Sequence, residues 1–108
     1  QVIGDVEGKD VILVDDIIDT AGTLTKAANL LKEKGAVSVR AFCTHPILSG
    51  KAYENVDNSE LEELIVTDSI KIDEGKSSKI QVASMSELFA KAIRKIHDHE
   101  SISSLFIQ

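Results

Sequence analysis

The apolar positions of this chain change period several times, and each change marks an element. Val11-Ile12-Leu13-Val14 is a continuous apolar run, the pattern of a strand covered on both faces. Leu24, Ala27, Ala28 and Leu31 then fall at i, i+3, i+4 and i+7, one stripe of a helix, and Gly35 ends it at C′. Val37 to Thr44 reads as a second strand, and Ser49 to about Val56 as a short helix with Ser49-Gly50 as its cap. Leu64 to Thr67 is a third strand and Ile80 to Ala83 a fourth. Ser84 and Glu87 form a capping box opening a helix with the stripe Met85, Leu88, Phe89, Ala92, Ile93 and Ile96. Gly75 to Lys79 is polar and reads as a surface loop. Strand alternating with helix predicts an α/β fold, a mostly parallel sheet with flanking helices.

Length and composition narrow the classes. With 108 residues the chain is one domain or part of one. Twelve basic and 18 acidic side chains give a net charge of −6, which argues against a nucleic-acid surface. The longest apolar run is four residues, too short to span a membrane. No signal peptide is recognisable, and a single cysteine makes no internal disulfide, so a reducing, cytoplasmic setting is expected. The chain opens at Gln1 without a methionine and reads as a piece of something larger. Its last residues return to Ile102, Leu105, Phe106 and Ile107, an apolar cluster expected to pack against the fold or a neighbouring subunit.

The chemistry is concentrated after the first strand, in Asp15-Asp16-Ile17-Ile18-Asp19-Thr20-Ala21-Gly22-Thr23. Ligands of open α/β sheets bind at the carboxyl ends of strands. Small residues let the backbone approach an anion, and the first N–H groups of the following helix are free to bond it. Thr20 and Thr23 add hydroxyls. Two like charges about 4 Å apart repel by roughly 4 kcal/mol at an effective dielectric of 20. A helix dipole returns only about 0.3–2 kcal/mol. Asp15 and Asp16 should therefore face neutral donors such as sugar hydroxyls, or a divalent cation. No basic residue lies between Lys9 and Lys26, so the cationic balance for a phosphorylated substrate must come from elsewhere. The plainer alternative is an acidic loop in which Asp19 or Thr20 caps the helix. A P-loop is excluded, because Gly4-Asp-Val-Glu-Gly8-Lys9 has the wrong spacing.

This segment resembles the phosphoribosyl-pyrophosphate motif of the type I phosphoribosyltransferase fold. In the form Val-Asp-Asp-Ile-Ile-Asp-Thr-Ala-Gly-Thr it is similar to the ribose-phosphate pyrophosphokinase family. The likeness continues in Gly4 to Lys9, in Cys43-Thr-His-Pro-Ile-Leu-Ser-Gly50 and in Ser101-Ile-Ser-Ser-Leu-Phe106. The resemblance implies a partial phosphoribosyltransferase-like fold and a reaction in which ATP donates diphosphate to ribose 5-phosphate, with magnesium (Mg2+) as cofactor. It also implies that Asp19, Thr20, Ala21, Gly22 and Thr23 hold the 5-phosphate, and that Asp15 and Asp16 hold the ribose hydroxyls, partly through metal. Residues 1–108 would then be the C-terminal portion, with the ATP-binding half and the catalytic lysine and arginine upstream, leaving no catalytic residue here and the fragment alone inactive. By the same resemblance, Ser101, Ser103 and Phe106 match a regulatory nucleotide site for ADP or phosphate at a homo-oligomer interface; Ser104 departs from the aromatic residue many relatives carry. The alternatives are a nucleobase phosphoribosyltransferase, or a non-catalytic regulatory protein associated with the synthetase.

The remaining polar residues carry weaker expectations. Cys43 should be core packing rather than a nucleophile. His97 and His99 read as surface residues at a helix end, and His45 as either a ligand contact or a loop-fixing hydrogen bond. Arg40, inside a strand, suggests an edge or interface position.

Overall fold

The computed structural model describes residues 5–73, 75–84, 86, 87, 90, 91 and 94, together with the backbone of 101 and 102. Among the described residues five strands form one sheet in the order β4-β3-β2-β1-β5, every neighbouring pair parallel. They are β1 (Asp10–Ile18), β2 (Ser38–Pro46), β3 (Glu63–Thr67), β4 (Ile80–Ala83) and the two-residue β5 (Ser101–Ile102). Helices α1 (Gly22–Glu33) and α2 (Ala52–Asp57) make the first two crossovers.

The apolar run predicted a doubly covered strand, and Val11, Ile12 and Leu13 are all fully buried. Alternation along the strands divides the core in two. On one face Val11, Leu13, Val39, Ala41, Leu64 and Val66 pack with Leu24, Ala28 and Leu31 of α1 and Ala52 and Val56 of α2. On the other, Ile12, Phe42, Ile65 and Ala83 form a smaller cluster with Val14 against it. Helix α1 ends in a Schellman arrangement: the Ala36 N–H donates to the Leu31 carbonyl and the Gly35 N–H to the Lys32 carbonyl, both at 3.1 Å. Gly35 takes φ +98°, and a Cβ there would lie 2.9 Å from the Glu7 side chain, so glycine is required.

Several expectations are corrected or sharpened. The second helix begins at Ala52, three residues later than its apolar pattern suggested, and its N-cap is Lys51 with no side-chain bond. Ser49 is therefore not a cap. Arg40 is not on an edge, because β2 lies between β1 and β3. It is tolerated there because its register partner is Glu63, with Arg40 Nε 3.4 Å from a carboxylate oxygen. The 75–79 loop is polar as expected, but Ser77 within it is buried and donates to Asp57. The capping box forms: the Glu87 N–H donates to Ser84 Oγ at 3.2 Å, and the Ser84 N–H to the Glu87 carboxylate at 3.4 Å. The apolar stripe following it lies outside the described residues, as do His97, His99, Ser103, Leu105, Phe106 and Ile107. Of the tail, Ser101 and Ile102 add a parallel edge strand beside Val11 and Ile12.

Candidate functional site

Strand β1 runs on past its apolar run to Ile18, so Asp15 and Asp16 lie in the strand rather than in the loop after it. The pleat turns successive side chains to opposite faces. Asp15 is buried, whereas the Asp16 side chain is 65% exposed, with a carboxylate oxygen 3.9 Å from His45 Nε2. Burial raises the Asp15 pKa above the ordinary aspartate value, opposed by hydrogen bonds from the Ile17 and Asp16 backbone and reinforced by the Asp16 charge. The other ring nitrogen of His45 lies 3.4 Å from Ser69 Oγ, in keeping with a loop-fixing role. Cys43 is buried and its thiol is pushed up to about 12 by desolvation, which suits packing and not nucleophilic chemistry.

From Asp19 the chain enters α1 with neither Asp19 nor Thr20 at the N-cap position, although Thr20 still bonds the first helical N–H. Its N-cap is Ala21, at φ 65° and ψ 12°, with no side-chain bond to the helix. Thr20 Oγ1 instead accepts from the Gly22 N–H at 3.3 Å. Ala21 is thus a non-glycine residue in the left-handed region, which needs support from its surroundings. That support comes from the segment after β2. The Ile47 and Leu48 N–H groups donate to the Ile18 carbonyl (2.9 and 3.2 Å), and the Ser49 N–H to the Asp19 carbonyl (2.9 Å). Asn55 Nδ2 donates to the Thr20 carbonyl at 2.9 Å, and Ser49 Oγ to the Asp19 carboxylate.

The result is a cavity of about 470 Å³ lined by Asp15 through Leu24. All seven residues singled out in the sequence, Asp15, Asp16, Asp19, Thr20, Ala21, Gly22 and Thr23, border it. The first-turn N–H groups of α1 have no intrahelical acceptor, and that of Gly22 is taken by Thr20 Oγ1. Ser49 resolves part of the charge problem, since it engages the Asp19 carboxylate with a donor of its own. Ser49 and Asn55 were missed as contributors. Ser49 was visible in sequence but assigned to its own helix, and nothing in the sequence separates Asn55 from an ordinary surface residue.

Among the described residues no group of three or more His, Cys, Asp or Glu side chains converges to hold a metal ion. Asp15 and Asp16 both border the cavity, but the pleat sends their side chains to opposite faces, so each offers it a single carboxylate. That number fits magnesium, which takes one or two protein carboxylates and completes its shell with water and substrate phosphates.

A family profile described as "Phosphoribosyl synthetase-associated domain" matches residues 1–107. The chain belongs to that family. Phosphoribosyl synthetase relatives are correspondingly similar. The ribose-phosphate pyrophosphokinase of Campylobacter jejuni is 58% identical over 107 residues, covering 99% of this chain and 34% of the relative. That of Wolinella succinogenes is 55% identical, with the same coverage. The crystal structure of phosphoribosylpyrophosphate synthetase from Mycobacterium smegmatis superposes with a TM-score of 0.72 at 41% identity, over 90% of this chain and 33% of that one. The chain therefore spans about a third of the length of the relatives it matches. The shared fold agrees with the parallel α/β sheet expected from the hydrophobic pattern. Among the described residues no helix is long and apolar enough to cross a membrane.

Proposed function

We propose that this chain is the sugar-phosphate-binding portion of a ribose-phosphate pyrophosphokinase, C-terminal in the whole enzyme. The whole enzyme would transfer the diphosphoryl group of ATP to the anomeric hydroxyl of ribose 5-phosphate, forming phosphoribosyl pyrophosphate and AMP. The observation that carries the proposal is the Asp19 to Thr23 loop, built of small residues at the N-terminus of α1 and bordering the cavity at the end of β1. In this reading the 5-phosphate lies on the main-chain N–H groups of that loop, with the Thr20 and Thr23 hydroxyls beside it. Asp15 and Asp16 accept from the ribose hydroxyls. Magnesium, when bound, would screen the carboxylates from the phosphates and stabilise charge on the transferring group.

The chain's own part is binding and orientation. Holding the sugar in one pose lowers the entropic part of the barrier, while charge stabilisation needs cations that residues 10–25 do not contain. The ATP site and the cationic groups are assigned to the rest of the relatives' length. A cytoplasmic homo-oligomer, with Ser101, Ser103 and Phe106 near a regulatory site for ADP or phosphate, belongs to the same proposal. Calorimetric titration tests it. Ribose 5-phosphate should bind, inorganic phosphate should compete, and ribose should bind far more weakly. Equal affinity for ribose and ribose 5-phosphate would overturn the phosphate assignment. With ATP, magnesium and ribose 5-phosphate, this chain alone should make no phosphoribosyl pyrophosphate.

A further inference from the structure

We propose that Asn55 is a positioning residue for the anion loop, holding the Thr20–Ala21 peptide so that the Ala21 N–H faces the anion. The inference rests on the reading of the β1–α1 loop as a phosphate site and adds the element that shapes it. In a planar trans peptide the C=O and the following N–H point in opposite directions. Three consecutive carbonyls, those of Ile18, Asp19 and Thr20, accept hydrogen bonds from the 47–55 segment. Planarity then turns the next three N–H groups, of Asp19, Thr20 and Ala21, away from that segment. None of residues 47–55 borders the cavity lined by Asp15 through Leu24, so the side opposite the segment is the cavity side.

The three carbonyls are not held alike. Main-chain N–H groups hold the first two, and almost any side chains would leave those bonds in place. A side chain holds the third, through Asn55 Nδ2. This is also the peptide most in need of holding. Ala21 sits at φ 65°, and rotating the Thr20–Ala21 peptide by half a turn would carry it to a negative φ that alanine prefers. The same rotation would swing the Ala21 N–H out of the cavity. Asn55 opposes that rotation, and its placement has no support from helix propensity.

The test compares the wild-type chain with Asn55→Leu, of similar size without the donor, and Asn55→Gln, which keeps it. Ribose 5-phosphate and inorganic phosphate are titrated, with amide NMR and thermal midpoints recorded. Asn55→Leu should bind ribose 5-phosphate about tenfold more weakly, equivalent to about 1.4 kcal/mol. Its Ala21 amide should lose the ligand-induced shift while its thermal midpoint stays near wild type. Asn55→Gln should stay within about threefold of wild type. Wild-type affinity and an unchanged Ala21 response in Asn55→Leu would overturn the proposal. Equal losses in both variants with a collapsed midpoint would also overturn it, marking the residue as structural. Absence of binding by the wild type would refute the phosphate-site reading instead. Asn55 is then still judged without ligand: Asn55→Leu should show two Thr20–Ala21 peptide orientations, and a single unflipped one would refute its role.

Discussion

The loops that leave β1 and β2 start from the same place in the fold and end in different chemistry. Both follow the carboxyl ends of adjacent parallel strands and lead into helices. Each carries a non-glycine residue in the left-handed region, Ala21 at φ 65° and Leu48 at φ 53°. Each borders a cavity, of about 470 Å³ after β1 and about 400 Å³ after β2. The first loop is small and acidic, and its Ile18, Asp19 and Thr20 carbonyls accept hydrogen bonds from residues 47–55. The second carries Ile47 and Leu48, and its N–H groups are directed into the first loop. Beside the second cavity, Lys76 lies 5.5 Å from the Tyr53 ring centroid and 3.2 Å from Asp73, whose N–H donates to the Tyr53 hydroxyl. Topology offers two positions at the carboxyl ends of neighbouring strands. The direction of the backbone dipoles makes one a candidate anion site and the other its scaffold.

The comparison is broken most severely at Gly50, in the scaffold loop. It has φ +58°, and a Cβ there would meet Thr20 Cγ2 at 3.8 Å. Gly50→Val should cost about 2 kcal/mol by urea denaturation, because a β-branched residue is poorly tolerated in the left-handed region. Ribose 5-phosphate binding should weaken with it, and unchanged affinity would mean that the loops are independent. Ala21→Val should cost about 1–2 kcal/mol for the same reason, while Ala21→Gly should leave stability near wild type. Ser49→Ala removes the donor to the Asp19 carboxylate and should cost about 1 kcal/mol. It should also weaken ribose 5-phosphate binding several-fold in calorimetry, the freed carboxylate now opposing the phosphate.

The smallest effect is the pH dependence from Asp15. Burial raises its folded pKa, so the folded state holds this proton more tightly than the unfolded chain. Its contribution to stability is complete below the ordinary aspartate value and is lost as pH rises through the raised folded value. Denaturation midpoints should show Asp15→Asn gaining on wild type across that interval, and parallel midpoints would contradict the assignment.

The sequence revealed the layers of this fold because its strongest signals are local. Val11 to Val14 carries the pattern of a strand covered on both faces, and Gly35 that of the residue after a helix. The lining of the cavity after β1 was legible too, because small residues, carboxylates and a strand end are contiguous between Asp15 and Thr23. What stayed hidden depends on contacts between distant segments. Arg40 suggested an edge or interface position because its partner Glu63 lies on the neighbouring strand. Ser49 looked like a cap because its acceptor, Asp19, is 30 positions away. Ala21 gave no sign of a left-handed backbone, since the carbonyl bond that supports it comes from Asn55, 35 positions beyond Thr20.

Amide NMR of the ligand-free chain titrated with ribose 5-phosphate decides most directly between the two strand-end positions. The largest shifts should fall on the N–H groups of Asp19 through Thr23, with smaller ones across Ser49 and Asn55 as the scaffold responds. Inorganic phosphate should reproduce the shifts in the loop but not those at Asp15 and Asp16, which report the sugar. Shifts centred instead on Tyr53, Lys71 and Lys76, with the β1–α1 loop silent, would contradict the assignment of the anion site.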